Sequence, residues 1–438
     1  MKKFSIITLG CKVNQYESDA VSQQLEDLGW RPADLKDSPD ACIVNTCTVT
    51  RKSSMQSRQA IRRIIRNHPQ ARIIVTGCYA QTEPDQVRQI PGVDAVIGHS
   101  DKHRIAEILS NGISNNSGQI LRQNLDGEKK YRQHPVVFGN RTRPFLKIQD
   151  GCNSFCTYCI VPYARGRSRS MPPEAVLAHI RALNDAGYRE IVLTGIHLGC
   201  YGLDLDPRLD LEHLLSRIAE SPIRCRVRLG SLEASELSEK IIRQVAESDT
   251  FCPHFHVPLQ SGDDGILKCM HRPYTRSFFA DRIRMIHQFI PYAGIGVDIL
   301  AGFPGESLAA FENTCRLIED LPLTYLHVFP FSARQGTPAA GYEGRISQDV
   351  IADRCRMVRE IGARKKWTFY RSLEGKTEQV LIEGKRKKTS GKLKGLTGNY
   401  VPVLLSGDDS LRNALASVRI EKAAAEFVSG AMICRAPF

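Results

Sequence analysis

The sequence predicts an α/β protein in three parts. These are an amino-terminal α/β domain on a parallel sheet, a central partial (β/α)6 TIM-like barrel, and a small carboxy-terminal β-barrel. Three observations predict them. Short apolar runs alternate with helical patterns over residues 1–125; the same rhythm recurs about six times over 144–367; and from 371 to 438 short runs alternate apolar and polar residues between Gly, Asp and Asn. A chain of 438 residues suits three domains at about 150 residues each.

Taken in order, residues 4–9, 41–45, 72–76 and 93–97 read as strands of the first domain, with helices at 17–28 and 53–66. On the second helix Ile61, Ile64 and Ile65 form the apolar stripe, and Arg58, Arg62, Arg63 and Arg66 read as a solvated face. The segment 111–143 is rich in Asn, Gly, Gln, Lys and Arg without apolar period, and reads as a linker centred on 126–143. In the central domain the expected strands are 145–148, 191–194, 227–229, 254–257, 296–299 and 326–331. Helices are expected at 174–186, 236–247, 276–288 and 307–320, and a last helix at 347–370 leads into five short strands at 377–382, 393–397, 401–405, 415–420 and 425–434.

A hydrophobic content of 42% is enough for real cores, and a net charge of +13 points to a polyanionic partner, nucleic acid first. Fourteen cysteines are too dilute and irregular for a disulfide scaffold and fit a reducing, cytoplasmic location. Met1-Lys2-Lys3 and the apolar residues up to Cys11 superficially resemble a lipoprotein leader, but Ser5 and Thr8 interrupt the run, so a first strand is expected there. No apolar run approaches the ~18 residues of a membrane span, and no membrane association is expected.

The chemistry is concentrated in cysteines. Cys152, Cys156 and Cys159 form a CxxxCxxC that brings three thiols to one loop, and no second pair follows to complete a four-cysteine zinc site. Three thiolates suit a 4Fe–4S cluster with one iron left open; a zinc or disulfide cluster is the plain alternative. Cys11, Cys47 and Cys78, with 35 and then 30 residues between them, each follow an expected strand of the first domain. Carboxyl ends of parallel strands share one edge, so these three thiols are expected to meet there. Cys42, inside a strand, is expected in the core, and Cys200, Cys225, Cys252, Cys269, Cys315, Cys355 and Cys434 are read as packing thiols.

The CxxxCxxC with aromatic Tyr158 before its last cysteine resembles the signature of the radical S-adenosylmethionine (SAM) enzymes. The three separated cysteines ahead of it are similar to those of the methylthiotransferases. Gly10-Cys11-Lys12-Val13-Asn14-Gln15-Tyr16-Glu17-Ser18 resembles the branch acting on N6-threonylcarbamoyladenosine in tRNA. The resemblance covers essentially the whole chain and is sharpest at 10–18, 150–169 and 190–202. It implies an enzyme that methylthiolates C2 of that adenosine, 3′ of the anticodon, with two 4Fe–4S clusters and two SAM per turnover. One cluster sits on Cys152, Cys156 and Cys159 and the other on Cys11, Cys47 and Cys78, the two facing each other across a domain seam. It also implies a TRAM-type RNA-binding domain at 371–438 and an electron donor such as flavodoxin or ferredoxin.

By the same resemblance SAM meets Tyr158, Thr194, Gly195, Glu233, Gln260 and Asp298. Thr194-Gly195 stands where many radical SAM enzymes have Gly-Gly-Glu, so that acid is missing here. Tyr158 would pack beside the adenine, and Glu233 can accept two hydrogen bonds from a ribose. Arg167, in a run that also holds Arg165 and Arg169, and Lys385, Arg386, Lys387 and Lys388 in the first loop of the last domain, are the expected tRNA contacts. No catalytic group beyond the cluster ligands is named. Two other readings stay open: a methylthiotransferase on isopentenyladenosine tRNA or on a ribosomal protein, and a non-catalytic, zinc-dependent RNA-binding protein. Iron with sulfide, against zinc, separates the last from the others.

Overall fold

Runs of β-branched residues buried on both faces build the amino-terminal sheet. Its strands are β1 (Lys3–Thr8), β2 (Arg31–Pro32), β3 (Ala41–Thr46), β4 (Arg72–Gly77), β5 (Ala95–Ile97) and β6 (Gln119–Leu121), all parallel in the order β2-β1-β3-β4-β5-β6. They come from a computed structural model that describes residues 1–111, 119–123, 125, 130–139 and 141–435. Alternation along β3 sends Cys42 and Val44 to a layer with Ile61 and Ile64, and Ile43 to the opposite layer with Val21 and Leu25. Cys42 is thus a core residue, as expected. The helix Arg51–Asn67 starts at Thr50, whose hydroxyl accepts from the Ser53 amide at 3.0 Å. It buries Ala60, Ile61 and Ile64 and leaves Arg62, Arg63 and Arg66 to solvent.

Besides the short edge strand β2, the first domain departs from expectation in two places. The first helix runs Lys12–Asp27 and begins directly after Cys11, because its inward face carries Asn14 and Glu17 among the apolar residues and so breaks the period. The expected linker contributes β6, which pairs Ile120 with Val96, and Leu125 beyond it is buried. Of the linker's core, 126–129 and 140 lie outside the described residues.

Chain contacts divide the molecule into two compact units. The first comprises Met1–Gly139, Gln149–Met171 and Ser332–Ala340, so the CxxxCxxC stretch belongs with the amino-terminal sheet.

The second unit holds the remainder. Its strands β7 (Phe145–Lys147), β8 (Glu190–Thr194) and β9 (Arg226–Arg228) form one parallel sheet, and β10 (His254–His256), β11 (Gly294–Ala301) and β12 (Tyr325–Pro330) another. Single parallel bridges, Val227 to Phe251 and Ser231 to His256, continue the pairing from one sheet to the next. The result is the expected open (β/α)6 half-barrel, with helices such as Pro173–Asp185 and Leu308–Asp320 between the strands.

The long helix Gln348–Ser372 leads into a closed barrel of β13 (Thr377–Arg386), β14 (Leu393–Thr397), β15 (Pro402–Leu405), β16 (Leu415–Ala423) and β17 (Val428–Arg435), ordered β13-β14-β15-β17-β16. Residues 436–438 lie outside the described residues. This barrel is fastened to the half-barrel. Arg228 donates to the Gly398 and Thr397 carbonyls at 2.8 and 3.1 Å, and Arg226 to Leu396 at 2.9 Å. Both guanidiniums also hold Glu190, which is fully buried, at 2.7 Å. Among the described residues no helix is long and apolar enough to cross a membrane.

Candidate functional site

Thr8, Asn45 and Thr76 are aligned across β1, β3 and β4, so the loops that follow leave one edge of the sheet together. Cys11 caps the helix after β1, Cys47 follows β3, and Cys78 begins the helical turn after β4. The loops are close. Gly10 has φ 101°, and a Cβ there would stand 2.9 Å from the Cys47 Cβ and 3.1 Å from its sulfur, so only glycine fits. Burial pushes the Cys78 thiol up to about 12 and raises Cys47 as well; the charge of Cys11 adds to both shifts and that of Cys47 to the shift of Cys78. Left alone such thiols stay protonated; a bound cation is what would make them thiolates. Cys11 is exposed while Cys47 and Cys78 are buried, so the trio has an open side.

The CxxxCxxC loop is held from within the same unit. Gly151 has φ 74° and no room for a side chain, since a Cβ would lie 1.9 Å from the Arg167 carbonyl. The Cys152 amide donates to Gly166 at 3.0 Å, and the Cys152 sulfur accepts from the Ser154 amide at 3.4 Å. Phe155 takes φ 43°, a left-handed conformation that a bulky residue keeps only when its surroundings hold it. Tyr163 meets its ring edge-on and the Arg167 guanidinium lies 4.9 Å over it. Cys156 is buried, and Cys152, Cys159 and Tyr158 are half-buried.

The three arginines after the loop have different fates. Arg165 is fully buried, donating to Glu17 at 2.5 Å, to Asn14 at 2.5 Å and to Asp150 at 3.2 Å. Arg169 is buried on the Arg165 and Arg167 carbonyls. Only Arg167 is exposed. Asn14 in turn donates to the Leu9 and Thr46 carbonyls, and Lys102 meets Glu17 at 2.5 Å. The helical turn at Cys78–Thr82 packs on Val161–Arg165. The segments that carry the two cysteine sets are therefore joined by one buried charge network. Sequence reading missed Asn14, Glu17 and Lys102; the available signal was polar residues at positions where the helix period wants apolar ones.

In the second unit, Thr194 ends β8 and its carbonyl accepts from the Ile148 amide at 2.9 Å; Gly195 follows it, half-buried. Gln260 has φ 67°, and its amide donates to the Asp298 carbonyl at 2.8 Å. Glu233 is already partnered, by an ion pair to Arg272 and a reciprocal cap with Glu236. Asp298 lies in mid-strand below the rim, its carboxylate shared by His256 and His327. Cys200, expected to be a packing thiol, has its sulfur 3.4 Å from both His197 and Glu236.

On the last barrel Lys385, Lys387, Lys388, Lys394 and Arg412 line a basic hollow of about 570 Å³. The loop there is shorter than expected because β13 runs on through Arg386, whose guanidinium is tied to Asp409 at 2.7 Å and to the Gly391 and Gly407 carbonyls. Arg386 shapes the hairpin, while Lys385 and Lys388 are exposed at its mouth.

Comparisons with known proteins agree with this picture. The family described as "Uncharacterized protein family UPF0004" matches residues 3–98, and the "Radical SAM superfamily" matches residues 146–318. Over 97% of its length the chain is 37% identical to the threonylcarbamoyladenosine tRNA methylthiotransferase MtaB of Bacillus subtilis, covering 95% of it. It is 35% identical over 100% of its length to the protein of the same name from Thermotoga maritima, covering 98%. The tRNA-2-methylthio-N(6)-dimethylallyladenosine synthase of Pelotomaculum thermopropionicum is 33% identical over 98% of the chain, with 97% of that protein covered. Among solved structures the fold is similar to the radical SAM methyltransferase TsrM of Kitasatospora setae, with a TM-score of 0.57 at 17% identity and 77% of each chain covered. The near full-length identity and the two matched families agree with the strand-end thiols and the half-barrel: the chain belongs to the radical SAM methylthiotransferases, enzymes that work with SAM and 4Fe–4S clusters.

Proposed function

We propose that the chain methylthiolates C2 of N6-threonylcarbamoyladenosine at the tRNA position 3′ of the anticodon, with two 4Fe–4S clusters and two SAM per turnover. The observation that carries this reading is the pair of cysteine trios in one unit, bridged by buried Arg165, in a chain whose full-length relatives bear that activity in their names. The donor sets suit the clusters. Each offers three thiols; Cys47 is backed by a glycine that leaves no room for a Cβ, and the Cys152 sulfur accepts an N–H. Cys152, Cys156 and Cys159 would hold one cluster and Cys11, Cys47 and Cys78 the other. Bound cluster and SAM supply one-electron chemistry for an unactivated aromatic C–H, which acid–base groups cannot reach.

The protein's own residues bind and orient. Tyr158, Thr194, Gly195, Glu233 and Gln260 contact SAM, Glu233 keeping lone pairs beyond those that Arg272 takes. Arg167, Lys385, Lys387 and Lys388 grip tRNA phosphates. Arg386 supports them by holding the hairpin. The enzyme works in the cytoplasm with a low-potential donor such as flavodoxin or ferredoxin. The test is mass spectrometry of tRNA nucleosides from a host lacking the gene, in which the methylthio mark on threonylcarbamoyladenosine disappears. Anaerobically reconstituted protein must also hold two clusters' worth of iron; one cluster's worth would remove the sulfur carrier and with it the reaction.

A further inference from the structure

The half-barrel lumen carries a ladder of rings around one carboxylate that neither cysteine trio uses. On β12, Leu326 packs on Gly362 and Val328 on Ile351 and Cys355, so Tyr325, His327 and Phe329 point the other way, into the lumen. Asp298 of β11 is in register with His327. Its Oδ1 is 2.9 Å from His256 Nε2 and 3.1 Å from His327 Nδ1. Burial disfavours its charge, but the two imidazole hydrogen bonds outweigh burial and hold the carboxyl well below its ordinary range.

An ionised carboxylate only accepts, which fixes the hydrogens around it. His256 Nε2 and His327 Nδ1 each carry one. His256 Nδ1 then accepts from the Tyr325 hydroxyl at 3.1 Å, and His254 Nε2 donates to the Tyr325 oxygen at 2.8 Å. The chain of bonds ends at His327. Its side chain is 52% exposed, its Nε2 has no partner among the described residues, and the exposed Phe329 ring lies beside it.

We propose that this floor reads the N6 substituent of the target adenosine, with His327, aimed by Asp298, binding the carboxylate of a threonylcarbamoyl group. The inference rests on the reaction proposed above and narrows it. The names of the relatives present two substituents, a threonylcarbamoyl and a dimethylallyl group. An all-carbon dimethylallyl group set on an ionised Asp298 and two imidazoles would strip their water and return nothing. A threonylcarbamoyl group brings a carboxylate, a hydroxyl and an amide. His327 in its imidazolium form donates to the substrate from Nε2 while Nδ1 stays on Asp298.

The test uses the reconstituted full chain and anticodon stem-loop RNAs bearing threonylcarbamoyladenosine, its methyl ester, or dimethylallyladenosine. The unaltered enzyme favours the free acid over the ester by about 10-fold or more in kcat/KM, chiefly through KM, the order expected when a charged hydrogen bond is lost. His327→Ala raises KM for the acid by a similar factor and narrows the preference over the ester to about 3-fold or less. Equal KM for acid and ester, or a His327→Ala enzyme with normal iron and unchanged KM, overturns the inference. Should His327→Ala lose its iron, the acid-against-ester comparison on the unaltered enzyme decides alone. An enzyme that modifies none of the three RNAs refutes the reaction itself, whereas one that modifies acid and ester alike refutes only the reading of the floor.

Discussion

Arg165 and Glu17, 148 residues apart, meet at 2.5 Å with the guanidinium wholly removed from solvent. The contact ties the loop after Cys159 to the helix after Cys11. Removing Arg165 takes one of two cations from buried Glu17, Lys102 still holding the carboxylate, and costs up to the roughly 3–5 kcal/mol of a broken buried pair. Arg165→Met is therefore expected to lower the unfolding free energy of the holoprotein, read from urea unfolding, by up to that margin. Arg165→Lys, which keeps the charge but loses the fork to Asn14, falls between it and wild type.

Single Cys→Ser changes separate the two trios. Cys11, Cys47 and Cys78 variants are expected to retain about half of the iron, and so are Cys152, Cys156 and Cys159 variants, since three thiolates are the least that holds such a cluster. Cys42→Ser keeps all of its iron but loses about 1–3 kcal/mol of stability, because it puts a hydroxyl in an apolar layer. Iron and sulfide assays after anaerobic reconstitution check both.

The exposed cations can be separated from those with a structural task. Arg167→Ala and Lys388→Ala are each expected to weaken tRNA binding uniformly and reduce the slope of log K against log salt by about 1. Arg386→Ala instead frees the Gly391 and Gly407 carbonyls and Asp409. Its signature is a lower thermal midpoint with a salt slope close to wild type, read by filter binding across a salt series.

Glu190 gives the acid limb of stability. Burial opposes its charge, but Arg228, Arg226 and Arg143 outweigh burial and lower it to about 2 from an ordinary 4.5. A folded value below the unfolded one means stability that is fully present above pH 4.5 and lost as pH falls toward 2, on the order of 3 kcal/mol. Glu190→Gln should lower stability at neutral pH and flatten that limb in acid-unfolding curves.

Strands were the most legible part of the sequence, because parallel strands buried on both faces are written in β-branched runs such as Ile73-Ile74-Val75. The strand-end cysteines followed from strand order alone. Buried polar contacts were not legible. Glu17 and Arg165 look like surface residues until the fold brings them together, and Asp298 looked like a rim residue until β12 placed His327 opposite it. The hairpin at Arg386 begins later than the sequence suggests because a bulged strand running past Ile382 has the same basic composition as a loop.

The joint made by Arg226 and Arg228 has a mechanical consequence. Because the basic hollow and the ring-lined lumen are parts of one fastened body, the reach from grip to floor is a fixed gauge. A stem-loop whose helix is lengthened by one base pair would present its phosphates about 3 Å out of step, and the hydrogen bonds of that joint oppose the shift that would take up the difference.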